Sequence, residues 1–120
     1  MNDTVEFVQG VYEDVDSLEV PRFISRLTED CVFVFGNADA VSGHSAIASY
    51  FGAFSEMIAG IAHVVDEAWT FEDAIISTVR VTYTRKDMST LSCPAMVLWR
   101  MQDELIKEYR IYVDNSALFA

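Results

Sequence analysis

Positive charge is scarce in this chain: 8 Lys and Arg stand against 19 Asp and Glu, a formal charge of −11 over 120 residues. Binding to phosphate backbones or anionic membrane surfaces depends on clustered Lys and Arg, so nucleic acid and membrane are excluded as main partners. Long hydrophobic runs are absent too. Although 52% of the residues are apolar, none of the runs approaches the ~18 residues a membrane helix requires. The first residues, Met1, Asn2, Asp3 and Thr4, lack the basic-then-apolar pattern of a leader, and the expected location is cytoplasmic. Cysteine is limited to Cys31 and Cys93, without C-x-x-C spacing, which argues against a redox motif or zinc ribbon and for buried, reduced thiols. Histidine is limited to His44 and His63. Neither has a second ligand at helical or hairpin spacing, and catalytic zinc takes about three protein ligands, so neither metal nor cofactor is expected. There is no Pro/Gly-rich linker and no internal repeat, and residues 1–120 read as one domain.

What is there falls into two blocks. From Thr4 to about Val15, the residues Val8, Val11, Tyr12 and Val15 recur at three- and four-residue intervals, one apolar helical stripe that Asn2, Asp3 or Thr4 can cap. Asp16 and Ser17 then open a short helix, with Pro21 in its first turn and Phe23, Ile24 and Leu27 on its buried side. Cys31 to Phe35 reads as a strand. A third helix starts near Gly43 and Ser45, presents Ile47, Tyr50, Phe51, Phe54 and Ile58, and ends at Gly60. The second block is four strands, Ile61 to Phe71, Ile75 to Arg85, Leu91 to Met101 and Ile106 to Asp114, joined by short polar turns. Connections that short require antiparallel neighbours.

Helices first and a meander afterwards give an α+β domain. Strands of about ten residues exceed the usual five or six, so their sheet must twist and curl. The expected architecture is a curved, mostly antiparallel sheet wrapped around three N-terminal helices, a cone with an internal pocket.

Several strings strengthen this reading. Phe35-Gly36-Asn37-Ala38, Val41-Ser42-Gly43-His44 with Ile47, Tyr83-Thr84-Arg85-Lys86-Asp87, and Tyr109-Arg110-Ile111-Tyr112-Val113-Asp114 together resemble the SnoaL-like branch of the nuclear-transport-factor-2-like superfamily. The resemblance implies the cone fold and a pocket, and leaves the activity open, because the fold hosts many chemistries. Ketosteroid isomerases, relatives within it, use a Tyr, an Asp base and a protonated Asp; matched here, those positions hold Val11, Phe35 and Met96, so that constellation is absent. Limonene epoxide hydrolase is a closer match. Its aromatic-Arg-x-Tyr-x-Asp string is similar to Tyr109, Arg110, Tyr112 and Asp114, and its Tyr-x-Asn to Phe35-Gly36-Asn37, while its Arg-x-Asp pair falls on Val79 and Val81.

These matches make Asp114 the first catalytic candidate. A carboxyl ending an inward-facing strand in an apolar cavity should resist ionising, which raises its pKa toward useful acid or base values. Asn37 would orient a water or a substrate carbonyl beside it. The plain alternative is that Asp114 caps the last turn and Asn37 supplies a turn conformation. His63 is the third candidate, an acid or base on the face that strict alternation would share among Val65, Glu67 and Trp69, whereas His44 reads as exposed. Tyr12, Phe35, Tyr50, Phe54, Trp69, Tyr83, Met96 and Tyr112 are expected to line the pocket. Trp99, on one face with Val97 and Met101, suggests an exposed apolar sheet surface and hence a homodimer. Asp14, Asp16 and most other acidic residues read as a solvated surface. The expected function is acid–base chemistry on a small hydrophobic, oxygenated molecule: hydration, dehydration, isomerisation or cyclisation. The alternative is a non-catalytic ligand-binding or dimeric assembly module.

Overall fold

The computed structural model describes residues 3–120, so the expected cap at Asn2 lies outside the described residues. The elements run α1 (Asp3–Asp16), α2 (Val20–Ile24), β1 (Leu27–Phe35), β2 (Val41–Ser42), α3 (His44–Glu56), β3 (Gly60–Phe71), β4 (Ala74–Thr84), β5 (Thr90–Gln102) and β6 (Leu105–Val113). The strands form one curved six-stranded sheet in the order β2-β1-β6-β5-β4-β3. The short turns of the meander make β3 through β6 antiparallel neighbours. β1 is separated from β6 by most of the chain and is free to pair with it in parallel.

The apolar stripe of α1 packs as its spacing predicts, with Val8, Val11, Tyr12 and Val15 all buried. Complete burial of such side chains contributes about 1.5–3 kcal/mol each, more than helix propensity supplies. Helix α1 lies against β3 and α2, and α3 lies against α2, β1 and β2. Alternation on the long strands supplies the other half of the core. Ser77, Val79, Val81 and Tyr83 of β4 point inward, as do Cys93, Ala95, Val97 and Trp99 of β5. The chain end folds back on this core: Leu118 is buried, and Arg85 donates to the carbonyls of Leu118 (2.9 Å) and Ala117 (3.2 Å).

Several local expectations need correction. Asp16 does not open the second helix but closes the first, and α2 is a single turn starting at Val20 with Pro21 in its first turn. Leu27 starts β1 instead of extending α2. Helix α3 stops at Glu56, and Gly60 begins β3. His44 is half-buried, its ring Nε2 bonded to the Leu27 carbonyl at 2.9 Å. Strict alternation on β3 fails because Val65 pairs with Val79 and Glu67 with Thr78, leaving Asp66 as an extra, bulged residue. The bulge reverses the phase of the strand. Ile61, His63 and Val65 face in before it and Ala68 after it, so Trp69 turns out to the solvent side at 47% exposure. Trp99, expected outside, is fully buried and faces inward.

Asp14 is not a free surface charge. Its carboxylate accepts from Arg26 Nε at 2.6 Å and Arg22 Nε at 3.0 Å, tying the end of α1 to α2 and to the start of β1. The hydrogen bond from Arg26 is the main cause that holds this carboxyl below the usual carboxylate range. A lowered folded pKa stabilises the fold above the unfolded value of ~3.9 and loses that contribution as pH falls through the folded value. Asp14→Asn is therefore expected to lower the urea midpoint at pH 7 and pH 5, with the gap to wild type closing below about pH 4.

Candidate functional site

Between the helices and the concave face of the sheet lies a cavity walled by rings and aliphatic side chains. Phe23 of α2, Phe33 and Phe35 of β1, and Tyr50, Phe51 and Phe54 of α3 form one side. His63 of β3, Val79 and Tyr83 of β4, Val97 of β5, and Tyr109 and Ile111 of β6 are on the other. The rings brace one another: Phe35 meets Phe54 at 5.3 Å and Phe33 meets Tyr50 at 5.9 Å between centroids. The cavity offers about 40 Å³ to the centres of water-sized molecules. Widened by the ~1.4 Å radius of water, one compact void of that kind is a hollow of roughly 180 Å³, similar to the ~150 Å³ cavity that accepts benzene in an engineered core. That is the scale of a single-ring molecule.

One ionisable pair reaches this apolar space. His63 lines the cavity, and its Nδ1 lies 2.5 Å from Asp16 Oδ1, while its backbone N–H donates to Asp16 Oδ2 at 2.9 Å. The two side chains are only 11% and 24% exposed. A carboxylate at the last residue of a helix faces the negative end of the helix dipole, and the two N–H groups of His63 compensate for that placement. Tyr12, one helical turn before Asp16, stacks on the imidazole at 4.2 Å with 16° between planes. A ring held by Nδ1–H to a carboxylate presents Nε2 as its free acceptor in the neutral form. Among the described residues Nε2 has no hydrogen-bond partner. The arrangement can take up a proton on Nε2 and return it, with Asp16 fixing the orientation of the ring.

Behind this pair lies a buried polar cluster. Tyr12 and Tyr109 are close enough to Ser77 and Trp99 for these groups to influence one another, and burial pushes both phenols well above their ordinary pKa, so both remain protonated donors. Contact is not the same as pairing, however. Tyr12 Oη, Ser77 Oγ and Trp99 Nε1 each lack a hydrogen bond of good geometry. Tyr83, further along the cavity wall, is pushed up to about 12, mainly by burial.

Of the residues singled out from sequence, His63, Phe35, Tyr50, Phe54 and Tyr83 meet at the cavity. Tyr12 stands behind His63 and does not line it. Asp114 is a correction. On β6 the cavity-facing residues are Tyr109 and Ile111, so Tyr112 faces out, and Asp114 lies just beyond the end of the strand. Asp114 is exposed, and its carboxylate accepts from the hydroxyl of Ser116 at 2.7 Å and the N–H of Ser116 at 3.1 Å, which lowers its pKa instead of raising it. Asn37 is exposed as well, because Gly36 at φ 57° turns the chain out of β1. The two share only a surface hollow with Val113, Asn115 and Ser116. Met96 and Tyr112 pair with each other on the outer face, 47% and 57% exposed, and together with Trp69 they leave the list of lining residues. The residue that sequence reading missed is Asp16. Its spacing of four from Tyr12 continues the buried stripe and was the available signal.

Comparison with known proteins adds the lineage. A family model described as a SnoaL-like domain matches residues 8–109. No curated protein is matched. Among solved structures, the chain is similar to a protein with a ketosteroid-isomerase-like fold from Catenulispora acidiphila, in complex with trimethylamine, with TM-score 0.84, 16% identity and coverage of 92% of this chain and 87% of that one. It is similar to the epoxide hydrolase/cyclase-like enzyme SalBIII, which acts in pyran ring formation in the polyether salinomycin, with TM-score 0.81, 13% identity and coverage of 95% and 92%. It is also similar to an LEH-like epoxide hydrolase of M. tuberculosis, with TM-score 0.80, 12% identity and coverage of 97% and 86%. Identities this low speak for the fold alone.

Two substitutions separate the inner pair from the outer carboxylate. Asp114→Asn is expected to change unfolding free energy by less than about 0.5 kcal/mol, as an exposed site does. Asp16→Asn removes a charged acceptor from two N–H groups and is expected to cost about 1.5–3 kcal/mol, both read by chemical denaturation.

Proposed function

This chain belongs to the SnoaL-like domain family, and from that premise we propose that it performs proton-transfer chemistry on a small, hydrophobic, oxygenated molecule held in the internal cavity, with His63 as acid and base. The observation that carries the reading is the position of His63: its Nδ1 is bonded to Asp16 at 2.5 Å and its ring is part of an otherwise apolar wall. Water is scarce in such a space, so a positioned imidazole acts on the bound molecule without competition from bulk solvent. Asp16 is a positioning residue that holds the ring and stabilises the imidazolium once Nε2 is protonated.

Several reactions need only this equipment. Isomerisation or dehydration requires removal of a proton from carbon and its return to carbon or oxygen. Cyclisation or epoxide opening requires removal of a proton from an attacking hydroxyl or water. The structural relatives include a pyran-forming enzyme and an epoxide hydrolase, which supports the second pair. The free, buried thiols of Cys31 and Cys93 fit a reducing cytoplasm as its place of action, and no helix among the described residues is long and apolar enough to cross a membrane.

Assembly is a separate part of the proposal. The outer face of the sheet exposes Trp69, Met96 and Tyr112, with Met96 paired directly to Tyr112. An apolar sheet face of this kind is suited to a second copy of the chain, so we propose a homodimer formed there, in place of the surface once expected around Trp99.

On a substrate found by thermal-shift screening of ketones, lactones and epoxides, His63→Gln is expected to lower kcat about 10²–10⁴-fold with the fold intact by circular dichroism. Unchanged turnover would remove His63 from the reaction. Met96→Lys is expected to convert a dimer to a monomer by light scattering, and a wild-type monomer would refute the assembly.

A further inference from the structure

Behind one part of the cavity wall, around Tyr109, four buried hydrogen-bond donors stand together. On the inner face of the sheet, β4 contributes Ser77, β5 Trp99 and β6 Tyr109, with Trp99 directly opposite Tyr109 in the ladder. Helix α1 adds Tyr12, whose ring centre is 5.6 Å from that of Trp99, and the rings of Trp99 and Tyr109 lie 5.5 Å apart. Tyr12 Oη, Ser77 Oγ and Trp99 Nε1 are buried and, among the described residues, without a hydrogen bond of good geometry. Side-chain proximity runs from Ser77 to Tyr12, from Tyr12 to Tyr109 and from Tyr109 to Trp99, and buried polar groups in native proteins are nearly always satisfied, so these four are each other's available partners.

The chemistry of the four groups says what kind of partner. An indole N–H only donates, whereas a phenol or serine hydroxyl donates once and accepts. Arranged in a line, four donated protons face three oxygens, and one O–H is left over however the line is directed. Of the four residues only Tyr109 also lines the cavity, so it is the outlet for the surplus donor. The partner must therefore bring an acceptor. Among the described residues the cavity wall contains no Lys or Arg, and His63 already faces the Asp16 carboxylate, so a carboxylate or phosphate would be buried there without a free countercharge. A neutral acceptor remains: the oxygen of a ketone, lactone or cyclic ether.

We propose that the cavity wall at Tyr109 is a subsite for one acceptor oxygen of a compact, neutral, otherwise apolar ligand, with Tyr109 Oη as the donor that meets it and Trp99, Tyr12 and Ser77 as its support. This rests on the reading that the cavity takes a small oxygenated molecule beside His63, and it narrows that molecule to one of roughly single-ring size with an acceptor oxygen.

Cyclohexanone and methylenecyclohexane have nearly the same shape, and only the first carries an acceptor. With protein labelled at the tyrosine Cζ carbons and at histidine nitrogen, the ketone is expected to bind about tenfold more tightly and to move the Tyr109 Cζ resonance, while the hydrocarbon leaves it in place. In Tyr109→Phe the preference is expected to fall to about one, with hydrocarbon affinity retained. The wild-type resonance gives the answer even if that variant does not fold. Equal affinities, a stationary Tyr109 signal on ketone binding, or a ketone preference that survives in Tyr109→Phe would each overturn the subsite. If both probes shift His63 alone, the subsite fails and the His63 reading stands. If Tyr109 responds as expected but His63→Gln leaves turnover unchanged, the subsite stands and the acid–base reading fails. If neither probe enters the cavity, both fall.

Discussion

The contact on which the rest depends runs from the last residue of the first helix to the first long strand. Asp16 holds His63 by both its ring and its backbone N–H, and this does three things at once. It docks the end of α1 on β3, it satisfies a carboxylate in an unfavourable position at a helix C-terminus, and it leaves Nε2 as the free nitrogen of a ring that lines the cavity. Tyr12, stacked on the other side of the imidazole, leaves the ring little freedom. An ionisable side chain in an apolar wall is costly unless it is paired, and here the pairing also aims it.

Much of the architecture was legible in the residues. The stripe Val8, Val11, Tyr12, Val15 announced a helix and its buried face, and the short polar turns between long strands required an antiparallel meander. Part of the cavity wall, Phe35, Tyr50, Phe54 and Tyr83, was legible for the same reason, since aromatic residues at helical and strand periods face the core.

 What the residues could not disclose was phase. One extra residue at Asp66 reverses β3, which sends Trp69 outward, and the parity of β6 decides that Tyr109 and Ile111 face in while Tyr112 faces out, leaving Asp114 exposed beyond the strand end. A shift of one residue exchanges the two faces of a strand, and nothing local in the sequence marks where such a shift occurs. Asp16 was overlooked for a different reason. A carboxylate reads as solvated until the strand that meets it is known, although its spacing from Tyr12 already placed it on the buried side of α1.

The same parity keeps the carboxylate that follows the last strand out of the hollow. Asp114 is engaged in a turn with Ser116, and the buried polar groups are elsewhere, in an imidazole–carboxylate pair and a cluster of hydroxyl and indole groups. The cone supplies an aromatic container, and a few inward positions set which polar groups it presents.

The nitrogens of His63 offer the most direct test of its role. In long-range proton–nitrogen spectra of the neutral ring, the proton is expected on Nδ1, in contact with Asp16, with Nε2 unprotonated and its resonance moving when a small ketone fills the cavity. A proton on Nε2, or an Nε2 signal indifferent to every cavity ligand, would contradict it.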